Sequence, residues 1–355
     1  MARDDVPWID GAVTTAAGEV PRVRTRLDFA DRLGTWKARW AVGRHDYRVA
    51  PGLYAVGDPT GDAPVFVSAN YKMSVDRLRS VLVGRAAWIL VLDTKGINVW
   101  CAAGKGTFGT DEVVRRVQAV GLDRVVRHRT LVLPQLGAPG VAAHEIRART
   151  GFRVVYGPVR AEDLPAFIDA GMKATPEMRR VRFDLRDRIV LVPVELVLGL
   201  KTMAIVAAAL VLIGGMGPDG YSTVGVRTVG LPGAGIVLVT FLAAAILGPV
   251  LLPWLPGRAF AVKGAFLGLL PVTGVTALAW IGAYPASWFH LAAWAIALPA
   301  ISSFVVMNFT GATTFTSLSG VLQEMRLAVP VQVAAVGIGT VLWICGLFLG
   351  KGRVG

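Results

Sequence analysis

Residues 64–94 read PVFVSANYKMSVDRLRSVLVGRAAWILVLDT, and this stretch decides the fold. PVFVSANY (64–71) is a β-rich run, SVDRLRSVLVG has helical spacing with Ser74 as its cap, and AAWILVLDT (86–94) is a second apolar strand. Both strands are nearly unbroken in apolar character, as strands covered on two faces are, so a β-α-β unit with parallel strands is expected. The alternation continues downstream. GTDEVVRRVQAVG (109–121) reads as a helix with Thr110 as N-cap, TLVLPQLGA (130–138) as a strand and GVAAHEIRARTG (140–151) as a helix. RVVYGPV (153–159) gives a further strand and AEDLPAFIDAGMKA (161–174) a closing helix. The fold class is therefore α/β, Rossmann-like with a mostly parallel sheet, spanning 63–188, and ligands of such sheets bind at the carboxyl ends of the strands. Upstream, residues 1–62 are rich in Gly, Pro, Arg and Asp. They read as an irregular lead-in, apart from a Trp-containing hairpin around Trp36, Trp40 and Tyr47.

Downstream of Arg188 the composition changes. The first 188 residues hold 30 Lys and Arg against 21 Asp and Glu, whereas the remaining 167 hold 7 against 3. Ten charges cannot solvate a globular surface of that size, so residues 189–355 are expected to form an all-α polytopic transmembrane domain. Five apolar stretches, 196–216, 232–254, 260–283, 287–306 and 331–349, each approach the ~20 residues that cross a bilayer core. Glu195 and Lys201 near the first span are expected to sit at its interfacial end. The N-terminus lacks the apolar run of a signal peptide, so the first half is expected to stay in the cytoplasm, and the expected location is the inner membrane. Arg258 and Lys263 in the loop after the second span fit the positive-inside rule, although the basic tail GKGRVG then falls outside. The polar segment 307–330 is expected to be a cytoplasmic loop or re-entrant element. Of the net charge of +13, +9 belongs to the first half, scattered through amphipathic segments, so an anionic leaflet of the lipid bilayer, not nucleic acid, is the expected partner. Two cysteines, Cys101 and Cys345, exclude an iron–sulfur cluster in this chain and a disulfide framework.

Between the second strand and the next helix lies LDTKGINVWCAAGKGTFGTDE (92–112). Asn98 is a natural N-cap for a short helix through Val99, Trp100, Cys101, Ala102 and Ala103, ended by Gly104 or Gly106. Cys101 then stands at the third helical position, where orphan amides and the positive dipole end favour an anionic sulfur, and the small residues after it leave a flat face for a planar ligand. The alternative is a small buried hydrophobe beneath Trp100. Groups at other strand ends are Ser68, Asn70, Thr94, Gln135, Gly137, Tyr156 and Gly157. His45, His128, His144 and His290 have no metal-ligand spacing, and GKGTFG lacks the G-x-x-x-x-G-K-[ST] of a phosphate loop.

The octapeptide Asn98-Val99-Trp100-Cys101-Ala102-Ala103-Gly104-Lys105 resembles the signature of the HgcA family, the corrinoid proteins of microbial mercury methylation. The wider run from Val67 to Glu112 is similar to the corrinoid-binding domain of the corrinoid iron–sulfur protein large subunit of the acetyl-CoA pathway. Residues 308–321, NFTGATTFTSLSGV, also resemble those families, and the resemblance covers roughly 60–350. It implies a corrinoid cofactor (cobalamin or a related cobamide) under a cap helix, with Cys101 as the lower axial ligand of cobalt. Asn98, Val99, Trp100, Ala102, Ala103 and Gly104 would line the cap. Apart from the resemblance, Lys105 reads either as a cation for a propionamide or nucleotide-tail phosphate or as a solvated lysine at a helix end. The implied activity is a methyltransferase passing a methyl group with its electrons to Hg(II), reloaded from a methyl donor protein or methyltetrahydrofolate. Reloading needs two electrons per cycle, so a ferredoxin-like iron–sulfur protein of the HgcB type is the implied reductant. The alternatives are a membrane-bound corrinoid methyl carrier of acetyl-CoA-pathway one-carbon metabolism, and a non-enzymatic membrane scaffold or permease with a regulatory α/β domain.

Overall fold

The computed structural model describes residues 6–309 and 318–350, with side chains from 320 onward in the latter segment. The chain forms two compact units, Met1–Val181 and Arg182–Gly355.

The first unit is built on a seven-stranded, mostly parallel sheet in the order β1-β2-β3-β5-β4-β6-β7. Its strands are β1 (Ile9–Thr15), β2 (Gly18–Val23), β3 (Gly52–Val56), β4 (Val65–Ala69), β5 (Ala87–Leu92), β6 (Thr130–Leu133) and β7 (Arg153–Tyr156). β5, β4, β6 and β7 run parallel, with Val67 opposite Leu90 and Leu131 opposite Val154 marking the register. Every residue of β4 and β5 is buried, because helices cover both faces. Helix α2 (Lys72–Ser80) joins β4 to β5; after β5 come α3 (Val99–Gly104), α4 (Thr110–Ala119) and α5 (Leu122–Val125), and β6 leads through α6 (Ala143–Thr150) to β7 and α7 (Leu164–Asp169).

The expected lead-in is structured. Residues 9–56 supply three strands of the same sheet, β3 pairing antiparallel with β5 from Gly52 opposite Val91 to Val56 opposite Ala87. Their alternation is weak because β1 is half exposed, which hides the period in the sequence. The Trp36–Trp40 region is not a hairpin but the helix α1 (Phe29–Arg39), started by a capping box in which Asp28 and Asp31 exchange side-chain-to-backbone hydrogen bonds. Two caps also differ from expectation. Helix α2 begins at Lys72 behind Tyr71, ahead of Ser74, and α4 begins behind Gly109, since the Thr110 hydroxyl instead accepts the Ala142 amide at 2.8 Å.

α1 and α2 are clamped by a buried ion network. Lys72 Nζ donates to Asp31 Oδ1 at 2.7 Å and to Asp76, while Arg79 donates to Asp31 Oδ2 at 2.6 Å and to Asp76 Oδ1 at 2.8 Å. Trp8 covers both cations, 5.2 Å from Lys72 Nζ and 5.9 Å from the Arg79 guanidinium. Burial alone would raise the Asp31 carboxyl, but hydrogen bonds from Lys72 and Arg79 outweigh it and hold the group at about 2. A pKa below the ordinary 3.8 means that this contribution is complete above that value and lost as pH falls through it toward 2. It amounts to about 2 kcal/mol. Melting the protein at stepwise lower pH should give a Tm that drops steeply between about pH 4 and 2, and Asp31→Asn should be less stable at pH 7 with a shallower drop.

Among the described residues, the second unit contains five helices long and apolar enough to cross a membrane: Leu185–Ile213, Thr223–Leu251, Phe260–Trp280, Trp288–Met307 and Gly320–Leu349. Their core gathers Val237, Val275, Trp294, Leu298 and Trp343. Arg188 caps the end of the second helix through Pro249 O (3.2 Å) and Val250 O (2.8 Å), and Lys263 Nζ donates to Leu252 O and Leu255 O. The stretch expected as a polar loop over 307–330 is otherwise from 318 on: Leu318–Leu349 is one helix through Pro330, and the Glu324 carboxylate accepts the Ala261 amide at 2.6 Å. This carboxylate satisfies an orphan amide at the start of the helix that begins at Phe260. The remainder of the NFTGATTFTSLSGV motif, 310–317, lies outside the described residues.

Candidate cofactor site at the strand ends

Three loops meet at the carboxyl edge of the parallel strands. After β5 the chain makes a tight turn, Thr94 to Ile97, with Lys95 and Gly96 at φ of 60° and 73° and Ile97 N donating to Thr94 O at 3.2 Å. A Cβ at Gly96 would lie 3.1 Å from His45 O, so only glycine serves there. The turn is organised by Asn70, buried just past β4. Its Oδ1 accepts from Thr94 N (3.0 Å) and Gly96 N (2.9 Å) and lies 2.9 Å from the Thr94 hydroxyl. Glu112 on α4 closes the other side, accepting the Asp93 amide at 2.7 Å and paired with Arg115 and Arg116. Burial would raise the Glu112 carboxyl, but that amide and the two guanidinium groups hold it below its usual range.

Helix α3 follows from this turn as the spacing predicts. Asn98 caps it, its Oδ1 accepting the Cys101 amide at 3.0 Å, and Lys105 closes it before Gly106 turns at φ of 78°. Ala102 and Ala103 face inward and are buried in the same core as Val67, Ala69, Leu131 and Leu133. Cys101, Gly104 and Lys105 face outward and are exposed, while Asn98, Val99 and Trp100 are half buried. The alternative of a thiol buried beneath Trp100 is thus not what the fold adopts. Nothing lies within 4 Å of a Cβ built at Gly104 or Gly106, so the space at both glycines, near the exposed Cys101, is open.

The floor under α3 is a 3-10 turn, Gln135–Gly140, that follows β6. Phe108, fully buried, is wedged between the two: a Cβ at Gly137 would lie 2.5 Å from its ring, and one at Gly140 would collide with the Phe108 carbonyl and sit 3.0 Å from Ala103 Cα. Sequence reading passed over Phe108, Gly140 and Glu112, and the glycines flanking GKGTFG and GAPG were the signal of close backbone approach.

The other strand-end residues serve the frame. Ser68 lies inside β4, opposite Val91, and is buried. Gln135 Oε1 accepts from Arg179 at 2.9 Å. The Tyr156 hydroxyl donates to Val141 O at 3.2 Å, burial raising its pKa, and Gly157 N donates to Leu133 O at 2.8 Å. Thr94 and Asn70 are spent on the turn. Asn70→Ala would strand two buried amides at roughly 1–3 kcal/mol each. Denaturant titration should therefore register a loss of a few kcal/mol in the first unit, and hydrogen exchange of residues 94–98 should rise most.

A mostly parallel sheet with three loops converging at its carboxyl edge is the arrangement in which α/β domains place their ligands. Residues 40–168 match the family described as CO dehydrogenase/acetyl-CoA synthase delta subunit. The chain is similar to the acetyl-CoA decarbonylase/synthase complex subunit gamma of Archaeoglobus fulgidus, 32% identical over 128 residues, which is 36% of this chain and 27% of that protein. It is likewise similar to the subunit gamma of Methanopyrus kandleri, 30% identical over 128 residues (36% and 27%), and of Methanothermobacter thermautotrophicus, 30% over 128 residues (36% and 28%). The chain thus spans about a quarter of the length of these relatives, and the family match ends at residue 168, before the apolar helices.

Proposed function

We propose that this chain is a membrane-anchored, corrinoid-dependent methyltransferase with Cys101 as the lower axial ligand of cobalt and Hg(II) as methyl acceptor. The observation that carries the reading is the Asn98-capped helix that anchors Ala102 and Ala103 in the core while holding Cys101 exposed, with open space at Gly104 and Gly106. Among the described residues no three of His, Cys, Asp and Glu gather as a metal site. A metal at Cys101 must therefore bring most of its donors with it, and a macrocycle does. The thiol is a soft donor suited to such a metal. When bound, the corrinoid would supply the cobalt–carbon bond from which a methyl group is transferred.

This chain's residues hold the site. Asn98 fixes the Cys101 amide, Phe108 and Gly140 set the height of α3 above the sheet, and Lys105 offers a cation to the cofactor's anionic tail. Gln135, Gly137, Tyr156 and Gly157 shape the neighbouring strand ends. The five apolar helices support an inner-membrane location, with the α/β unit on the cytoplasmic side beside its methyl donor and reductant. Electrons come from a ferredoxin-like partner, since two cysteines cannot hold a four-thiolate cluster. Methylmercury counted per chain should stop near a single turnover without a reductant and continue with one. Sustained turnover by the chain alone would overturn the electron requirement.

A second reading has its own support in the match over residues 40–168: a membrane-bound methyl carrier of acetyl-CoA-type one-carbon metabolism. Purified, methyl-loaded protein offered Hg(II) or an acetyl-CoA-synthase-type acceptor separates them by which one takes the label.

A further inference from the structure

Helix α1 lies on the first unit with its polarity inverted. Its inward side carries Asp31, engaged in the ion network, Gly34, where a Cβ would lie 2.6 Å from the Tyr47 ring, and Ala38, fully buried. The bulky apolar side chains point out: Phe29, Leu33 and Trp36, at helical spacing i, i+4 and i+7, are 79%, 36% and 58% exposed. Trp40 extends the stripe, its ring 5.9 Å from that of Trp36. Single exposed apolar residues are ordinary, but a continuous stripe on the face turned away from the core marks a contact surface. Four exposed cations, Arg26, Arg32, Lys37 and Arg39, flank it, and none is within salt-bridge distance of a carboxylate among the described residues. At the start of the helix Arg24, Arg26 and Arg32 line an open cleft with Asp28 and Phe29, and Arg24 Nε is buried with no hydrogen-bond partner among the described residues.

We infer that α1 is a membrane-surface contact, its aromatic stripe entering the interface of an anionic phospholipid bilayer and its arginines taking the phosphate headgroups. A basic helix with Trp, Phe and Leu on one side is the composition that binds in the interface plane. The same chain carries five helices fit to span a bilayer, so a lipid surface is its constant neighbour. The contact is independent of the cofactor and of the reaction at Cys101.

The test uses the full chain in lipid nanodiscs of phosphatidylcholine with and without phosphatidylglycerol. Amide exchange over residues 29–39 should slow by about tenfold in the anionic discs, and high salt should reverse part of that protection. The double variants Phe29→Ser with Trp36→Ser and Arg32→Gln with Lys37→Gln, all at exposed positions, should lose the protection while melting as the parent does. A p-benzoylphenylalanine placed at position 36 should cross-link to lipid when irradiated in membranes. Equal exchange in the two discs, or a cross-link to a second copy or to another protein in place of lipid, would overturn the assignment.

Discussion

Cys101→Ala should abolish methyl transfer to Hg(II) and change the visible spectrum of the corrinoid-loaded protein, while its folding should be unchanged. The thiol is exposed and touches no core, so its removal creates no cavity, and the helix keeps its Asn98 cap because the bond is to the backbone amide. On the proposed reading, what is lost is the exposed sulfur donor on the outer face of α3. The activity loss should exceed the ~10–100-fold typical of removing a group one shell further out. Cys345→Ala, half buried in the last apolar helix, is the matched control and should behave as the parent. If Cys101→Ala kept parental activity and spectrum, the thiol would have no part in the chemistry.

Phe108→Ala should produce the largest structural effect near the site. Its ring is fully buried against Gly137, and its backbone lies against Gly140 and under α3 through Phe108 N to Ala102 O at 3.1 Å. Removing a buried aromatic ring costs about 3–5 kcal/mol. Here the cavity would open directly between α3 and the Gln135–Gly140 turn, so corrinoid retention should fall with stability. Phe108→Leu fills most of the space and should recover most of both. Chemical denaturation and corrinoid bound per chain, measured on the same samples, check the two effects together; retention unaffected in Phe108→Ala would mean that α3 is held by other contacts.

The sequence made the parallel half of the sheet and the α3 cap legible because their signals are local: unbroken apolar strands, and an Asn followed by small residues. Strands β1 to β3 were not legible, since β1 is half exposed and β3 pairs antiparallel with β5, a partner far along the chain. Helix α1 reads poorly for the reason that makes it informative, its apolar residues facing out and Asp31 facing in. At the site, the positions of Cys101 and Asn98 followed from spacing. The uses of Asn70, Thr94 and Tyr156 did not, because whether a strand-end polar group faces a ligand or holds a loop depends on tertiary hydrogen bonds.

Cobalt K-edge absorption of the corrinoid-reconstituted full chain tests the central claim most directly. The account predicts a sulfur scatterer in the first coordination shell of cobalt in the parent protein and its replacement by a light atom in Cys101→Ala. A shell of nitrogen and oxygen alone in the parent, or a sulfur that persists in the variant, would contradict it.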